Sequence, residues 1–250
     1  MKLSIITVVR NDFEGIQKTY ASIENFINYG AQWVVIDGGS DEETKNFLKT
    51  IQNKNIIYKR GNDSGIYDAM NKGMVLANIY NYLWFLNAGD VNKVSLEKAI
   101  TILKDSEKSE TNCIKFDVLV NKQERHENIS FKFLIFNSPN HQSLWIKKDV
   151  HIKFSTKCKL ASDYGVFLYL FCTNKIKIKY VRIPAIDYDL TGITAKPESK
   201  NSIRYERLKL SRTIFAQTRS IKALIIFAIQ SIIYTVYFTF PSLNIKRHKD

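Results

Sequence analysis

Cysteine is nearly absent from the 250-residue chain, and the three present do not pair in any familiar spacing: Cys113, Cys158 and Cys172 are far apart and outside any CxxC. Their scarcity excludes a disulfide framework and a cysteine-built zinc site, and it fits a reducing compartment. A secretory leader is missing too. The apolar run starts at Leu3 without a long h-region or a small-residue cleavage site, so the chain is expected in the cytoplasm. Zinc-finger spacing, an RNP-like aromatic motif and a clear helix-turn-helix are all lacking, which leaves the net charge of +13 without a nucleic-acid signature. Internal repeats and low-complexity tracts are absent. A chain of this length holds one domain, or one with a small appendage, and buries a full core unaided.

Acidic residues are scarce at one end. From Lys196 to Asp250 there are eleven Lys/Arg against three Asp/Glu, so +8 of the +13 lies in the last fifth of the chain. Such asymmetry predicts an anionic partner, a membrane surface ahead of nucleic acid. Residues 223–245 carry no charge between Lys222 and Lys246, a length that qualifies as a spanning candidate. Gln230, Ser231, Thr235 and Thr239 interrupt it, however, Pro241 ends it early, and Tyr234 and Tyr237 suit an interface. Upstream, Lys200, Arg204 and Arg207 recur at helical spacing. A basic helix followed by an apolar one is expected to dock on the cytoplasmic face of a membrane. The other reading is a packing helix with a solvated basic face.

What is abundant is alternation. Residues 3–9 form a β-branched run that reads as a strand buried on both faces. A helical spacing of Ile16, Tyr20, Ile23 and Phe26 follows, then a buried strand from Trp33 to Ile36. Ser40 with Glu43 fits a capping box for a helix running to about Ile51. Further along come a strand (55–59), a helix (66–77) and a strand (82–86). The alternation implies a parallel, doubly wound α/β sheet. Beyond Asn92 the pattern loosens to a helix from Leu96, short strands near 113–120 and 131–136, and a helix from about Asp163 to Phe171.

In open α/β sheets ligands sit at the carboxyl ends of the strands, which directs attention to Asn11, Asp37, Asp63 and Asp90. Clustered acids there are costly unless a metal, a ribose or a basic ligand sits among them. Asp37 is placed to accept from ribose or base, or simply forms the turn before Gly38-Gly39. Dinucleotide binding fails on the first turn, where Val9-Arg10-Asn11-Asp12 offers no GxGxxG. Asp90 suits a hard cation on a diphosphate, or an Asx turn.

The segment Asp63-Ser64-Gly65-Ile66-Tyr67-Asp68-Ala69-Met70-Asn71-Lys72-Gly73, followed by Phe85-Leu86-Asn87-Ala88-Gly89-Asp90, closely resembles glycosyltransferase family 2. The likeness is greatest to the branch that builds O-antigen (lipopolysaccharide) and capsular polysaccharides. The opening Ser4 to Asn11, the turn Val35 to Ser40 and, more thinly, Asn140-His141-Gln142-Ser143 and Ala161-Ser162-Asp163-Tyr164 match the same family in order. The resemblance implies the GT-A fold, a Rossmann-like, mostly parallel sheet with helices on both faces, here with a C-terminal helical tail. It also implies a catalytic domain over residues 1–195, with a nucleotide half (1–90) and an acceptor half (91–195), and the tail over 196–250.

By the same resemblance, Thr7, Asn11, Asp37, Ser40, Asp63, Asp68, Asn71 and Lys72 face the nucleotide sugar, a UDP-sugar above others. Asp90 is the last carboxylate of a DxD-like motif that chelates Mn²⁺ or Mg²⁺, and Asp163 is the general base. His141 either lines the acceptor pocket or is a structural histidine. The chain departs from the family pattern in having Asn87 for the first Asp, Gly89 where many relatives carry another Asp, and Arg60-Gly61-Asn62-Asp63 where Ser-Glu-Pro-Asp is common. The expected reaction is a metal-dependent, inverting transfer of a sugar to an acceptor hydroxyl, a poor nucleophile without base help, carried on a lipid-linked glycan. The competing expectations are a non-catalytic sugar-nucleotide or glycan binding module of the same fold, and a nucleotidyltransferase, whose glycine-rich basic phosphate loop is missing here.

Overall fold

The computed structural model describes residues 1–78, 81–120, 122–188 and 199–239. In chain order the elements are β1 (Leu3–Val9), α1 (Phe13–Asn28), β2 (Gln32–Asp37), α2 (Glu42–Thr50), β3 (Ile56–Arg60), α3 (Ile66–Leu76), β4 (Tyr82–Phe85), β5 (Val91–Asn92) and α4 (Leu96–Lys108). There follow β6 (Cys113–Val120), β7 (Gln123–Arg125), α5 (Phe131–Phe136), a 3₁₀ turn (His141–Ser143), β8 (Leu144–Lys147), α6 (Ser162–Cys172), β9 (Ile178–Tyr188), α7 (Ser199–Thr218) and α8 (Ile221–Thr239).

Among the described residues nine strands make one sheet in the order β3-β2-β1-β4-β8-β6-β9-β5, with β7 paired to β6. Strands β3, β2, β1 and β4 are parallel. Strand β8 then runs antiparallel to β4, β6 antiparallel to β8, and β9 parallel to β6. Every residue of β1 is buried, because successive side chains enter different cores. Leu3, Ile5 and Val9 join α1 and Trp33 on one face, while Ile6 and Val8 join Met70 and Met74 of α3 on the other. Helix α3 lies so close that a Cβ on Gly73 would come within 2.5 Å of the Ile6 side chain. That approach accounts for the glycine closing the GIYDAMNKG run.

Two local expectations are corrected. Ser40 does not cap α2; Asp41 does, its side chain accepting from Thr44 N at 3.0 Å, while the Ser40 hydroxyl accepts from Asn11 N. Residues 131–136 form helix α5 rather than a strand. Six apolar residues in a row carry no period, so neighbours decide. Ser130 caps the start by accepting from Phe133 N, and Arg207 of α7 donates to the carbonyls of Leu134, Ile135, Phe136 and Asn137 at the end.

Arg207 is thus turned inward, over the Tyr164 ring at 4.5 Å, and is not part of a solvated basic face. The described part of the tail is built into the molecule. Leu210, Ile214, Ala223 and Ile226 are buried in a second core with Leu134, Tyr164, Phe167 and Leu168. The boundary expected near residues 195–196 and the segment 240–250, including Pro241 and Lys246, lie outside the described residues. No described helix is long and apolar enough to cross a membrane.

Candidate active site

The loops after β1 and β2 are laced together. Asn11, at a left-handed φ of 50° that asparagine tolerates, donates its N–H to Ser40 Oγ and accepts from Asp41 N through its side chain, both at 2.9 Å. Asp37 is fully enclosed. Its Oδ1 accepts from the backbone N–H groups of Gly39 and Ser40, and its Oδ2 takes the Tyr58 hydroxyl at 2.9 Å and Arg60 Nε at 3.3 Å. Burial, then the bond to Asp37, pushes the Tyr58 phenol up, so it remains a donor. Thr7 is equally enclosed, its hydroxyl accepting from Trp33 Nε1. Of the expected nucleotide contacts on these two strands, Asn11 is exposed, whereas Thr7, Asp37 and Ser40 are buried.

Asp63 packs its carboxylate against Gly38 and accepts from Gly65 N at 3.0 Å, joining the third strand end to the second. Asp68 holds Lys72 at 2.9 Å and accepts from Ser64 N, and the Lys72 bond comes first in drawing its carboxyl below the usual range. Lys72 also donates to Asn62 O. Asn71 points elsewhere: its amide donates to Phe154 O and its oxygen accepts from Phe154 N, both at 2.9 Å, fastening the loop before α6 to α3.

One short turn, His141–Ser143, reaches both Asp90 and Asp163. Asp90 is buried, and its Oδ2 accepts from the Gln142 side-chain amide. Asp163, in the first turn of α6, has Oδ2 3.2 Å from His141 Nδ1, while its Oδ1 accepts from the Tyr67 hydroxyl at 3.2 Å. Burial, then the Asp163 charge, raises the Tyr67 phenol, which keeps it a donor to the carboxylate. The Asp163 side chain is 15% exposed. A proton on His141 Nδ1 leaves Nε2 as acceptor, and Nε2 is buried without a hydrogen-bond partner among the described residues. Glu206 of α7 steadies this end of the site, accepting from the N–H groups of Lys159, Leu160 and Ala161 just before α6.

Gln142 and Tyr67 were not singled out by sequence reasoning, although each sits inside a quoted motif. Their chemistry depends on which carboxylate they meet, and residues 52 and 96 positions apart leave no local spacing to read.

The donors near Asp90 fit a hard divalent cation, which takes carboxylate and amide oxygens. Asn87 Oδ1 and Gln142 Oε1 are buried and have no hydrogen-bond partner among the described residues. Gly89, at φ +92°, occupies a conformation that an aspartate would strain, so Asp90 is the carboxylate that the turn itself provides. A second group, Asp117, Glu124 and His126, brings three ligand atoms within 4.8 Å of one another on β6 and β7. Asp117 there is also engaged by Arg182 at 3.2 Å.

The sequence profile described as glycosyl transferase family 2 matches residues 4–164. An uncharacterised glycosyltransferase of Mycobacterium tuberculosis is 35% identical over 89 residues, 35% of this chain and 34% of that protein. The match thus spans about a third of that relative's length. A PGL/p-HBAD biosynthesis glycosyltransferase of Mycobacterium bovis is 24% identical over 172 residues, 64% of this chain and 65% of the relative. Among solved structures, S. aureus TarS residues 1–349 in complex with UDP superposes with a TM-score of 0.68 at 15% identity, covering 98% of this chain and 74% of that one. The Pyrobaculum calidifontis mannosyltransferase in complex with GDP-Man and Mn²⁺ gives a TM-score of 0.60 at 12% identity, covering 96% and 71%.

Proposed function

Since the chain belongs to glycosyl transferase family 2 and is a glycosyltransferase of the GT-A fold, we propose that it carries out a metal-dependent, inverting transfer of a sugar from a nucleotide diphosphate, UDP above others, to an acceptor hydroxyl. The observation that carries the reading is the single 3₁₀ turn whose His141 faces Asp163 and whose Gln142 faces Asp90. One rigid element thereby sets the distance between the leaving-group end of the site and the base.

Asp163 accepts the acceptor's hydroxyl proton as its oxygen attacks the anomeric carbon. The bond from that carbon to the diphosphate oxygen breaks, and the electron pair leaves with the nucleotide diphosphate. Attack opposite the departing group inverts the anomeric configuration. Asp90, together with the Asn87 and Gln142 side-chain oxygens, would hold a divalent cation, which would supply positive charge against the negative charge developing on the diphosphate. Tyr67 and His141 orient the Asp163 carboxylate. On the nucleotide side, Asn11, Asp63, Asp68 and Lys72 are assigned direct or near contacts with base, ribose or phosphate. Thr7, Asp37 and Ser40 act by shaping the loops, and Asn71 by fixing the Phe154 loop. The solved neighbours named for UDP and for GDP-Man with Mn²⁺ support a nucleotide-sugar donor.

Purified protein incubated with UDP-, GDP- and dTDP-sugars should stabilise thermally and hydrolyse slowly with one nucleotide class, UDP by expectation, and EDTA should abolish the effect. If no sugar nucleotide binds with Mn²⁺ or Mg²⁺ present, the chain is not a transferase of this kind.

The acceptor is assigned to a lipid-linked glycan on an anionic cytoplasmic membrane face. Helix α8 buries Ala223, Ile226 and Gln230 but leaves Ile221, Leu224, Ile225, Ile232 and Val236 exposed, an apolar stripe at helical spacing. Lys209, Arg212 and Arg219 are exposed nearby in the chain, and each basic group close to an anionic surface adds about 1 kcal/mol. In flotation, the full chain should bind vesicles containing phosphatidylglycerol and release in high salt. Ile225→Glu with Ile232→Glu should weaken binding at unchanged fold. Equal binding to neutral vesicles, or none to either, removes the membrane from the reading.

A further inference from the structure

Lys115 lies in the middle of β6, 1% exposed, and neither the fold nor the reaction as described makes use of its charge. Burying an ammonium costs several kcal/mol unless every N–H finds a partner. Here all three do. Lys115 Nζ donates to Phe116 O at 2.6 Å and Ser143 Oγ at 2.7 Å, and pairs with Glu127 Oε2 at 3.0 Å. Burial draws the ammonium below its ordinary value, and Glu127 opposes that shift.

The same two partners close around one residue. Ser143 Oγ donates its own hydrogen bond to Asn140 O at 2.7 Å, and Glu127 Oε2 accepts from Asn140 N at 3.0 Å. Asn140 in turn starts the 3₁₀ turn, its side chain accepting from Gln142 N at 2.9 Å. Both peptide groups of Asn140 are therefore tied to a single buried cation, and the next two residues are His141 and Gln142. We propose that Lys115, acting through Ser143 and Glu127, is a positioning residue that sets the turn from which His141 meets Asp163 and Gln142 meets Asp90. The inference rests on the proposed reading only for its effect on transfer; the geometry of the turn is independent of it.

A buried lysine that served packing alone would be replaced by methionine with little change at the turn. If it positions the turn, Lys115→Met frees Asn140, and His141 loses its fixed ring orientation. Nitrogen-15 spectra of the histidine side chains read this directly: the His141 signals, assigned by comparison with His141→Gln, should show one tautomer in the parent and averaging in Lys115→Met. Transfer turnover should fall by about 10- to 100-fold, since both residues held by the turn face the carboxylates assigned to the reaction. Ser143→Ala, which removes one hydroxyl from the chain of bonds, should give the same signature at smaller amplitude, and it decides the question if Lys115→Met fails to fold. An unchanged His141 spectrum in a folded variant overturns the positioning role whether or not the parent transfers sugar. A parent that shows the single tautomer but transfers nothing overturns the proposed reaction instead.

Discussion

Asp163→Asn is expected to lower sugar transfer by about a hundredfold or more, at a UDP affinity close to that of the parent. The substitution is nearly isosteric and tests one property, the capacity to take a proton. The amide oxygen still accepts from the Tyr67 hydroxyl, which reaches Asp163 Oδ1 at 3.2 Å. The amide nitrogen takes the place of the oxygen facing His141 Nδ1, so the imidazole must present an acceptor there and carry its proton on Nε2. The helix start is held independently by Glu206 on three backbone N–H groups, so the fold should be kept. Turnover in saturating donor and acceptor, set beside UDP binding by calorimetry, separates the base from the binding site. If Asp163→Asn transfers at the parental rate, another group takes the proton and Asp163 is not the base.

Residues 1–90 were legible in the sequence because β1, β2 and β4 are parallel and buried almost throughout. Such strands read as unbroken apolar runs, and their helices keep a period. The residues beyond 90 were less so. Strands β5, β7 and β8 have two, three and four residues, too short to show a period, and they gain their partners from distant chain. The apolar run at 131–136 was read as a strand because nothing local distinguishes it from the helix that Ser130 and Arg207 impose. Arg207 illustrates the same limit from the other side. Its spacing with Lys200 and Arg204 looks like a solvated basic stripe, and only the position of α5 turns it into a cap. Within the site, Asp90 and Asp163 were named from motifs, but the turn that reaches both, and the Lys115 pair beneath it, join residues too far apart for any spacing rule. For Asp37 both readings were open in the sequence, because a strand-end polar residue reads alike whether it faces a ligand or holds its own turn; the structure shows the turn bonds to Gly39 and Ser40.

Two groups of oxygen and nitrogen donors compete as the place where a divalent ion acts, and substitution separates them. Asp90→Asn keeps the side chain's shape and an oxygen for the Gln142 amide, but removes the charge that a hard cation requires. If Asp90 holds the ion, the Mn²⁺-dependent part of UDP affinity should disappear in this variant, and transfer should fall by about 10²- to 10³-fold, the several kcal/mol of charge stabilisation lost at the departing phosphate. The residue is 8% exposed, so folding is checked by far-UV circular dichroism before any loss is assigned to chemistry. Glu124→Gln with His126→Gln dismantles the other group, and its two residues are exposed, so the fold should not suffer. That pair of changes should leave both EDTA sensitivity and turnover within about twofold of the parent, as surface substitutions away from a site usually do. The reverse outcome, with Asp90→Asn still stimulated by Mn²⁺ and the Glu124/His126 variant not, moves the ion to β6 and β7. Asp90 would then be left to orient Gln142, and the buried oxygens of Asn87 and Gln142, unpartnered among the described residues, would need a different ligand, for which the sugar hydroxyls of the donor are the nearest chemistry.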